Sequence, residues 1–256
     1  MNKKIPSDYN RFINLEGVGD VSRPVDINQT NTGFSELVSL RIYKFLSGQV
    51  INGEAEDDEV CIVFLSGDVT MEVSGKENHS WTFQGRKNVF DGLPYVVYLP
   101  PHYHYKLSPH SDAEVAYARA KAIGHFSPRL IRPENIKTEI LGEGLSEHQV
   151  SHLLQTCEAE KLRCAEIRIN GGHWQPYPPQ SSEGLEQLNY YRMKNPNSFS
   201  LARLDGEGFD EAMTIKDGDS LAVDKGYHTV AVSPDCTLYG LQFFVPTIKS
   251  RISNAK

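Results

Sequence analysis

The sequence has little cysteine and no long apolar run, and both shortages narrow the class of protein. Its 256 residues include four cysteines, none of which forms a Cys-x-x-Cys pair. This pattern indicates buried free thiols rather than a disulfide scaffold. No apolar stretch approaches the length of a membrane-spanning helix, and none follows the basic residues near the start. We therefore expect a cytoplasmic protein without a membrane partner.

Basic charge is also scarce. Lys and Arg total 26 against 33 Asp and Glu, which gives a net charge of −7 at pH 7, and the basic residues form no runs. A nucleic-acid partner is therefore not expected. What the chain does have is apolar residues, 39% of the total, which is enough for one large domain or two packed halves.

Short segments of alternating apolar and polar residues, separated by Gly, Pro and Asp, dominate the pattern. Residues 37–46 alternate and end at Ser47-Gly48, and residues 59–73 read as two strands hinged at Ser66-Gly67-Asp68. This pattern predicts an all-β chain folded as an antiparallel sandwich or barrel.

One helix is predicted after residue 145. Ser146 and Gln149 match a capping box, with Ser146 as the N-cap. Val150, Leu153 and Leu154 would then line the buried face of a short helix.

A short internal repeat indicates two equivalent halves. Asp91-Gly92 precedes an apolar strand and then Tyr103-His104, and Asp217-Gly218 precedes an apolar strand and then Tyr227-His228. In both copies the His leads into a further alternating strand.

Residues 171–192 carry the most specific motif of the chain. They hold a Trp, a Tyr-Pro-Pro run, a short polar gap and an aromatic strand that ends in Tyr190, Tyr191 and Arg192. Together with blocks at 89–101 and 128–134, this motif resembles the 5-deoxy-glucuronate isomerases, bicupin enzymes of myo-inositol catabolism related to 5-keto-4-deoxyuronate isomerases. The resemblance covers residues 30–246 and implies two cupin (jelly-roll) β-barrels in one chain with few short helices.

The domain organisation follows from this resemblance. We expect a polar N-terminal strap over residues 1–30, an N-terminal cupin half over 31–125, a linker with the short helix over 126–160, a C-terminal cupin half over 161–247 and a tail over 248–256. Cupins often pair through sheet edges, so the resemblance also implies a homodimer.

The resemblance implies aldose–ketose isomerisation of a sugar acid, with a divalent metal, zinc or manganese, polarising the substrate oxygens. In the family pattern the Pro-Pro precedes His-x-His and a Glu opens the aromatic strand, but these positions hold Gln180, Ser182 and Gln187 here. Only the last expected ligand remains, as His228. The pocket candidates are therefore His228, Gln180, Gln187, Tyr190, Tyr191 and Arg192. The alternative is a non-catalytic bicupin that binds a sugar or serves oligomerisation.

A second possible metal site lies in the N-terminal half. Aligning residue 59 with residue 187 places Glu59 at a ligand-like position, and Glu54 and Glu56 have the spacing of the missing His-x-His. His102 and His104 would complete a carboxylate and imidazole set, which could support a different metal-dependent activity. The competing interpretation is that these are solvated turn residues.

Overall fold

The computed structural model describes residues 2–8, 11–15, 18–32 and 37–247, and the all-β prediction is confirmed in them. The predicted tail over 248–256 lies outside the described residues. The strands are β1 (Lys3–Ile5), β2 (Phe12–Leu15), β3 (Gly19–Ile27), β4 (Ser39–Phe45), β5 (Ile51–Glu54), β6 (Asp58–Ser66), β7 (Val69–Ser74), β8 (His79–Phe83), β9 (Val96–Leu99), β10 (His104–Pro109), β11 (Ala113–Lys121), β12 (Arg129–Ile131), β13 (Lys137–Leu141), β14 (His148–Leu154), β15 (Arg163–Ile169), β16 (Trp174–Ser181), β17 (Leu185–Met193), β18 (Ser200–Gly206), β19 (Phe209–Ile215), β20 (Ser220–Val223), β21 (Tyr227–Val232) and β22 (Leu238–Pro246). The helical segments of the described residues are α1 (Gln29–Thr32) and two 3₁₀ turns, Pro133–Asn135 and Gly144–Ser146. Within the described ranges, no helix is long and apolar enough to cross a membrane.

The strands form two pairs of antiparallel sheets with the same internal order. The first half pairs a seven-stranded sheet, β12-β9-β6-β11-β4-β3-β2, with a four-stranded sheet, β5-β10-β7-β8. The second half pairs the sheet β1-β20-β17-β22-β15-β14-β13 with the sheet β16-β21-β18-β19. Position by position, β6 corresponds to β17, β11 to β22 and β10 to β21. This repeated order fits the predicted pair of barrels.

Strand alternation divides the buried residues into three cores. Val60, Ile62 and Phe64 of β6 point between the two sheets of the first half, whereas Cys61 and Val63 point to the opposite face. The opposite faces of both large sheets share one core that joins the halves. Each half therefore has its own interior and also buries the outer face of its large sheet against the other half.

The first segment of the chain is not the surface strap predicted for residues 1–30. Val21, Val25 and Ile27 are fully buried, because β3 pairs with β4 and packs Val21 in the interior of the first half and the other two in the shared core. β1 crosses to pair with β20 of the second half, and β12 pairs in the same way with β9 of the first half. The two halves thus exchange their first strands.

The predicted helix after Ser146 is wrong. Residues His148–Leu154 form β14, which lies between β13 and β15. The capping box does form, but it links Glu143 and Ser146 around the second 3₁₀ turn. Val150 packs in the interior of the second half while Leu153 and Leu154 pack in the shared core. Burial on two faces suits a strand, so sheet pairing overrides the local helix signal.

Candidate functional site

The interior of the second half contains a buried cluster of three side-chain amides. Asn189 of β17 is its centre: its Oδ1 accepts hydrogen bonds from Gln187 Nε2 at 2.6 Å and from Gln242 Nε2 at 3.0 Å. The Asn189 Nδ2 donates to the Leu221 carbonyl at 3.1 Å. Gln242 lies directly opposite Asn189 in the pairing of β22 with β17. Alternation therefore brings three polar groups onto one inward face.

His228 of β21 faces the same interior from the four-stranded sheet, on the side of Val230 and Val232. We call the three amides and His228 the polar cluster. The His228 side chain is buried, and its Nδ1 lies 3.2 Å from the Ser182 Oγ. Burial lowers the pKa of the His228 imidazole to about 4, so the ring is neutral at physiological pH. Gln180 lies opposite His228 in the pairing of β16 with β21, but Gln180 is exposed, at the rim of this interior.

These residues do not fit a divalent metal ion. Of the four implied ligand positions, Gln180, Ser182 and Gln187 offer neutral amide or hydroxyl oxygens, and only His228 offers an imidazole. Zinc and manganese sites are built mainly from carboxylate, imidazole and thiolate donors. Across the ranges that the structure covers, no three His, Cys, Asp or Glu residues are grouped to hold a metal.

The aromatic strand contributes one side chain to this interior. Tyr191 points inward and is buried in the core of the second half. Tyr190 points to the shared core, where its hydroxyl donates to Glu114 Oε1 at 2.9 Å. Arg192 forms ion pairs with Glu114 at 2.9 Å and Asp217 at 3.0 Å. Tyr190 and Arg192 therefore join the halves instead of lining the polar cluster.

In the first half, Glu59 faces away from the interior. Its carboxylate accepts hydrogen bonds from the Tyr98 hydroxyl at 3.0 Å and from three consecutive backbone N–H groups, those of residues 160–162, at 2.6 to 2.9 Å. Glu59 is fully buried. It ties the chain just before β15 to the first half.

The other four candidates of the first half lie on its rim. His104 Nδ1 is 3.8 Å from Glu54 Oε2, and both side chains are about half exposed or more, at 63% and 48%. His102 Nδ1 is 4.0 Å from Asp57, and Glu56 forms an ion pair with Arg119 at 2.8 Å. The structure brings Glu54 and His104 together but separates them from the buried Glu59.

Backbone hydrogen bonds identify which residues of the first half correspond to the polar cluster. Ala55 N–H donates to the Tyr103 carbonyl and Ser182 N–H donates to the Gly226 carbonyl, both at 2.8 Å. Ala55 therefore corresponds to Ser182, and Tyr105, two residues after Tyr103, corresponds to His228. By the same pairing the implied ligand positions 180, 182, 187 and 228 correspond to Gly53, Ala55, Val60 and Tyr105.

The sequence repeat had instead matched His104 with His228. The connection from β9 to the inward position of β10 is one residue longer than the connection from β20 to His228. A shift of one residue reverses every side chain of a strand, so His104 points outward. Sequence reasoning also missed Asn189 and Gln242. The signal was present: Gln242 is a lone amide within an apolar run, and Asn189 shares one strand face with the candidate Gln187.

Comparison with known proteins gives a consistent result. The model of the KduI/IolB family matches residues 17–253. A protein of Geobacillus kaustophilus named 5-deoxy-glucuronate isomerase is 30% identical over 84% of this chain and 82% of its own length. A Bacillus subtilis (strain 168) protein of the same name is 26% identical over 89% of both chains.

Solved structures agree with the sequence matches. The crystal structure of an IolB-like protein from Salmonella typhimurium superposes with a TM-score of 0.81 at 26% identity, covering 87% of this chain and 88% of that one. Bacillus subtilis oxalate decarboxylase superposes with a TM-score of 0.69 at 11% identity over 95% of this chain and 77% of its own, and this likeness concerns the fold alone. The predicted cupin-type fold is confirmed.

Proposed function

Because the chain belongs to the KduI/IolB family, we propose that it is a sugar-acid isomerase that interconverts an aldose and a ketose, with 5-deoxy-glucuronate as its substrate. The observation that carries the proposal is the family match over residues 17–253. The similar proteins of Geobacillus kaustophilus and Bacillus subtilis are both named 5-deoxy-glucuronate isomerase. We assign the proposed activity to the buried polar cluster of the second half.

The polar cluster supplies groups suited to a sugar. Isomerisation moves a proton from C2 to C1 of the aldose while the carbonyl moves from C1 to C2, so the reaction needs a base and hydrogen bonds to both oxygens. The neutral imidazole of His228 is assigned the proton transfer. The amides of Gln187 and Gln242 are assigned the two oxygens. Gln180, at the rim opposite His228, is assigned to the substrate carboxylate, and Tyr191 to the wall of the site.

No step of this proposal passes through a metal. The family resemblance implies a divalent ion, but the neutral donors at positions 180, 182 and 187 do not fit one. Binding and proton transfer are therefore assigned only to side chains of the chain itself.

Proton NMR of the purified chain with 5-deoxy-glucuronate in D₂O tests this function. We expect the aldose signals to decrease, a ketose to form and deuterium to enter at the former aldehyde carbon. The variant His228→Gln should lower kcat by at least about 100-fold, the range of general acid–base catalysis. The matched control is His104→Gln, which removes an exposed histidine of the first half and should leave kcat unchanged.

Two results would contradict the isomerase. Saturable binding of 5-deoxy-glucuronate without turnover would replace it with the non-catalytic sugar-binding module. Full activity in the His228→Gln variant would remove the polar cluster from the reaction.

The proposal includes a homodimer in the cytoplasm, with the sugar acid as the small-molecule partner. Light scattering coupled to size-exclusion chromatography tests the oligomeric state. A mass near 28.7 kDa, that of one chain, would contradict the dimer.

A further inference from the structure

The interior of the first half contains a cavity at the place where the second half has its polar cluster. Its volume is about 130 Å³, and it is partly enclosed between the two sheets. The described residues that line it are Leu15, Tyr43, Phe45, Ile51, Asn52, Ile62, Tyr105, Leu107, Val115 and Tyr117. We call this space the tyrosine cavity.

Strand pairing shows the correspondence between the two places. Ile62 lies opposite Tyr117 in the pairing of β6 with β11, as Asn189 lies opposite Gln242 in the pairing of β17 with β22. Tyr105 occupies the position of His228. The first half therefore has an internal site in the same location as the second half, but with phenol and aliphatic side chains in place of amides and imidazole.

Aromatic rings form one side of the tyrosine cavity. The rings of Tyr43 and Phe45 are stacked with centroids 5.6 Å apart, and Tyr117 meets Tyr43 edge to face at 6.5 Å. The ring of Tyr105 lies 6.1 Å from that of Tyr117. Gly53 makes room for Tyr105, because a Cβ at residue 53 would lie 2.3 Å from the Tyr105 ring. These contacts hold flat apolar surfaces around the space.

Among the described residues that line the tyrosine cavity, none carries a charged side chain. Burial raises the pKa of Tyr105 well above its usual value and raises that of Tyr117 as well, so both hydroxyls stay protonated at physiological pH. Arg41 and Arg119 act on the tyrosine hydroxyls from outside the lining, but each is paired with a carboxylate, that of Asp26 or Asp58. An anion placed here would therefore lose its hydration without gaining a free countercharge. A sugar acid therefore does not suit this space, whereas an uncharged flat molecule does.

We propose that the tyrosine cavity is a second ligand site, which binds an uncharged single-ring molecule of about seven non-hydrogen atoms. An apolar protein cavity of about 150 Å³ is large enough to hold benzene, and the tyrosine cavity is close to that size. Asn52 and the tyrosine hydroxyls can hydrogen-bond one polar substituent of the ring. This site rests on the geometry of the first half and does not depend on the isomerase proposal.

Calorimetric titration with phenol tests the site, with benzoate as the charged comparison. We expect phenol to bind saturably with a dissociation constant of about 1 mM or tighter, and benzoate to bind at least tenfold more weakly. The variant Ile51→Phe, which adds a ring to the lining, should weaken phenol binding at least tenfold. Ile13→Phe is the matched control, because Ile13 packs near the same core without lining the cavity.

Circular dichroism and the melting temperature establish that each variant is folded. If Ile51→Phe does not fold, Val115→Leu is the second variant that fills the cavity. Three outcomes would overturn the proposal: no saturable binding of phenol to the unaltered chain, equal affinity for benzoate, or equal phenol binding in the filled variant and in Ile13→Phe. Retained phenol binding in His228→Gln is expected, and its loss would move the ligand to the second half.

Discussion

The two halves share a strand order but differ in what fills their interiors. At three corresponding positions the second half has Asn189, Gln242 and His228, and the first half has Ile62, Tyr117 and Tyr105. The two sets differ in the groups that they offer. The second half has amide and imidazole groups that form hydrogen bonds, whereas the first half has apolar surface with phenol hydroxyls. The same sheet frame therefore encloses two chemically unlike interiors.

The outer faces of the large sheets, in contrast to the interiors, carry the same chemistry in both halves. Glu59 and Glu186 occupy the same position in the two halves, and each accepts backbone N–H groups that lead into the next large-sheet strand of the opposite half. The interface between the halves therefore repeats its chemistry where the interiors do not. The repeated carboxylates thus hold the same elements of the two halves together, while the side chains inside each half differ.

The largest expected effect comes from the buried ion pair of the interface. The guanidinium of Arg86 bonds both carboxylate oxygens of Glu166, and Tyr239 donates to the same carboxylate at 2.6 Å. Both charged side chains are only 2% exposed. Arg86→Met should lower the free energy of unfolding by about 3–5 kcal/mol, because Glu166 would remain buried without its countercharge. Urea denaturation measures the change.

The matched control is Arg192→Met, which removes the more exposed ion pairs with Glu114 and Asp217. Its cost should be smaller, about 1–2 kcal/mol, since water can reach the two remaining carboxylates. The double variant Arg86→Met with Glu166→Leu should regain much of the lost stability. Equal costs for the two arginines would contradict the importance of burial at this interface.

The second prediction compares the two corresponding carboxylates. Glu59→Leu leaves three backbone N–H groups and the Tyr98 hydroxyl without their acceptor, and we expect a loss of about 3 kcal/mol in the free energy of unfolding. Glu186→Leu removes the acceptor of the Leu37 and Val38 N–H groups, and its loss should be nearer 2 kcal/mol. Chemical denaturation of both variants gives the comparison. Neutral effects at both positions would show that the repeated carboxylates do not hold the halves together.

Much of the fold could be predicted from the sequence, because alternation and turn residues are local signals. The all-β class and the strands at residues 59–73 depend on them. The helix after Ser146 failed because a capping box is also local, whereas the pairing of β14 with β13 and β15 is not. Long-range sheet pairing decides between two structures that the local signals both permit.

The candidate site was less predictable, because it depends on register. His228, Gln180 and Gln187 follow from a motif, but the inward position of the first half depends on a connection that is one residue longer. A repeat read from the sequence aligned His104 with His228, and that alignment selected outward-facing residues. The amides of Asn189 and Gln242 come together only when β17 pairs with β22.

The third prediction concerns how the free energy of unfolding depends on pH, because a titrating imidazole is present in the second interior and a tyrosine stands at the same position in the first. The pKa of His228 is about 4 in the folded chain and about 6.5 in an unfolded one, so the unfolded chain binds more protons between these values. Stability is therefore fully present above pH 6.5 and falls as the pH drops toward 4. From pH 7 to pH 4.5 the His228 share of the loss should be about 2–3 kcal/mol.

Urea denaturation at both pH values measures this loss, and His228→Gln should remove that share. Tyr105→Phe is the control at the corresponding position, because a phenol with a raised pKa does not titrate in this window. A pH profile that is unchanged in His228→Gln would contradict the buried neutral imidazole.

The smallest expected effect comes from exchanging serine and alanine at one corresponding position of the two halves. Ser182 and Ala55 occupy the same position, and the Ser182 Oγ lies 3.2 Å from His228 Nδ1. Ser182→Ala should cost about 1 kcal/mol by removing the partner of a buried imidazole. Ala55→Ser should cost somewhat more, about 1–2 kcal/mol, because it adds a hydroxyl to a fully buried position beside apolar side chains. Calorimetric melting of both variants tests the pair. If Ala55→Ser costs nothing while Ser182→Ala costs 1 kcal/mol, the first interior accepts polar groups as readily as the second. The chemical contrast between the two interiors would then rest on the larger side chains, those of Ile62, Tyr105 and Tyr117 in the first half and of Asn189, His228 and Gln242 in the second.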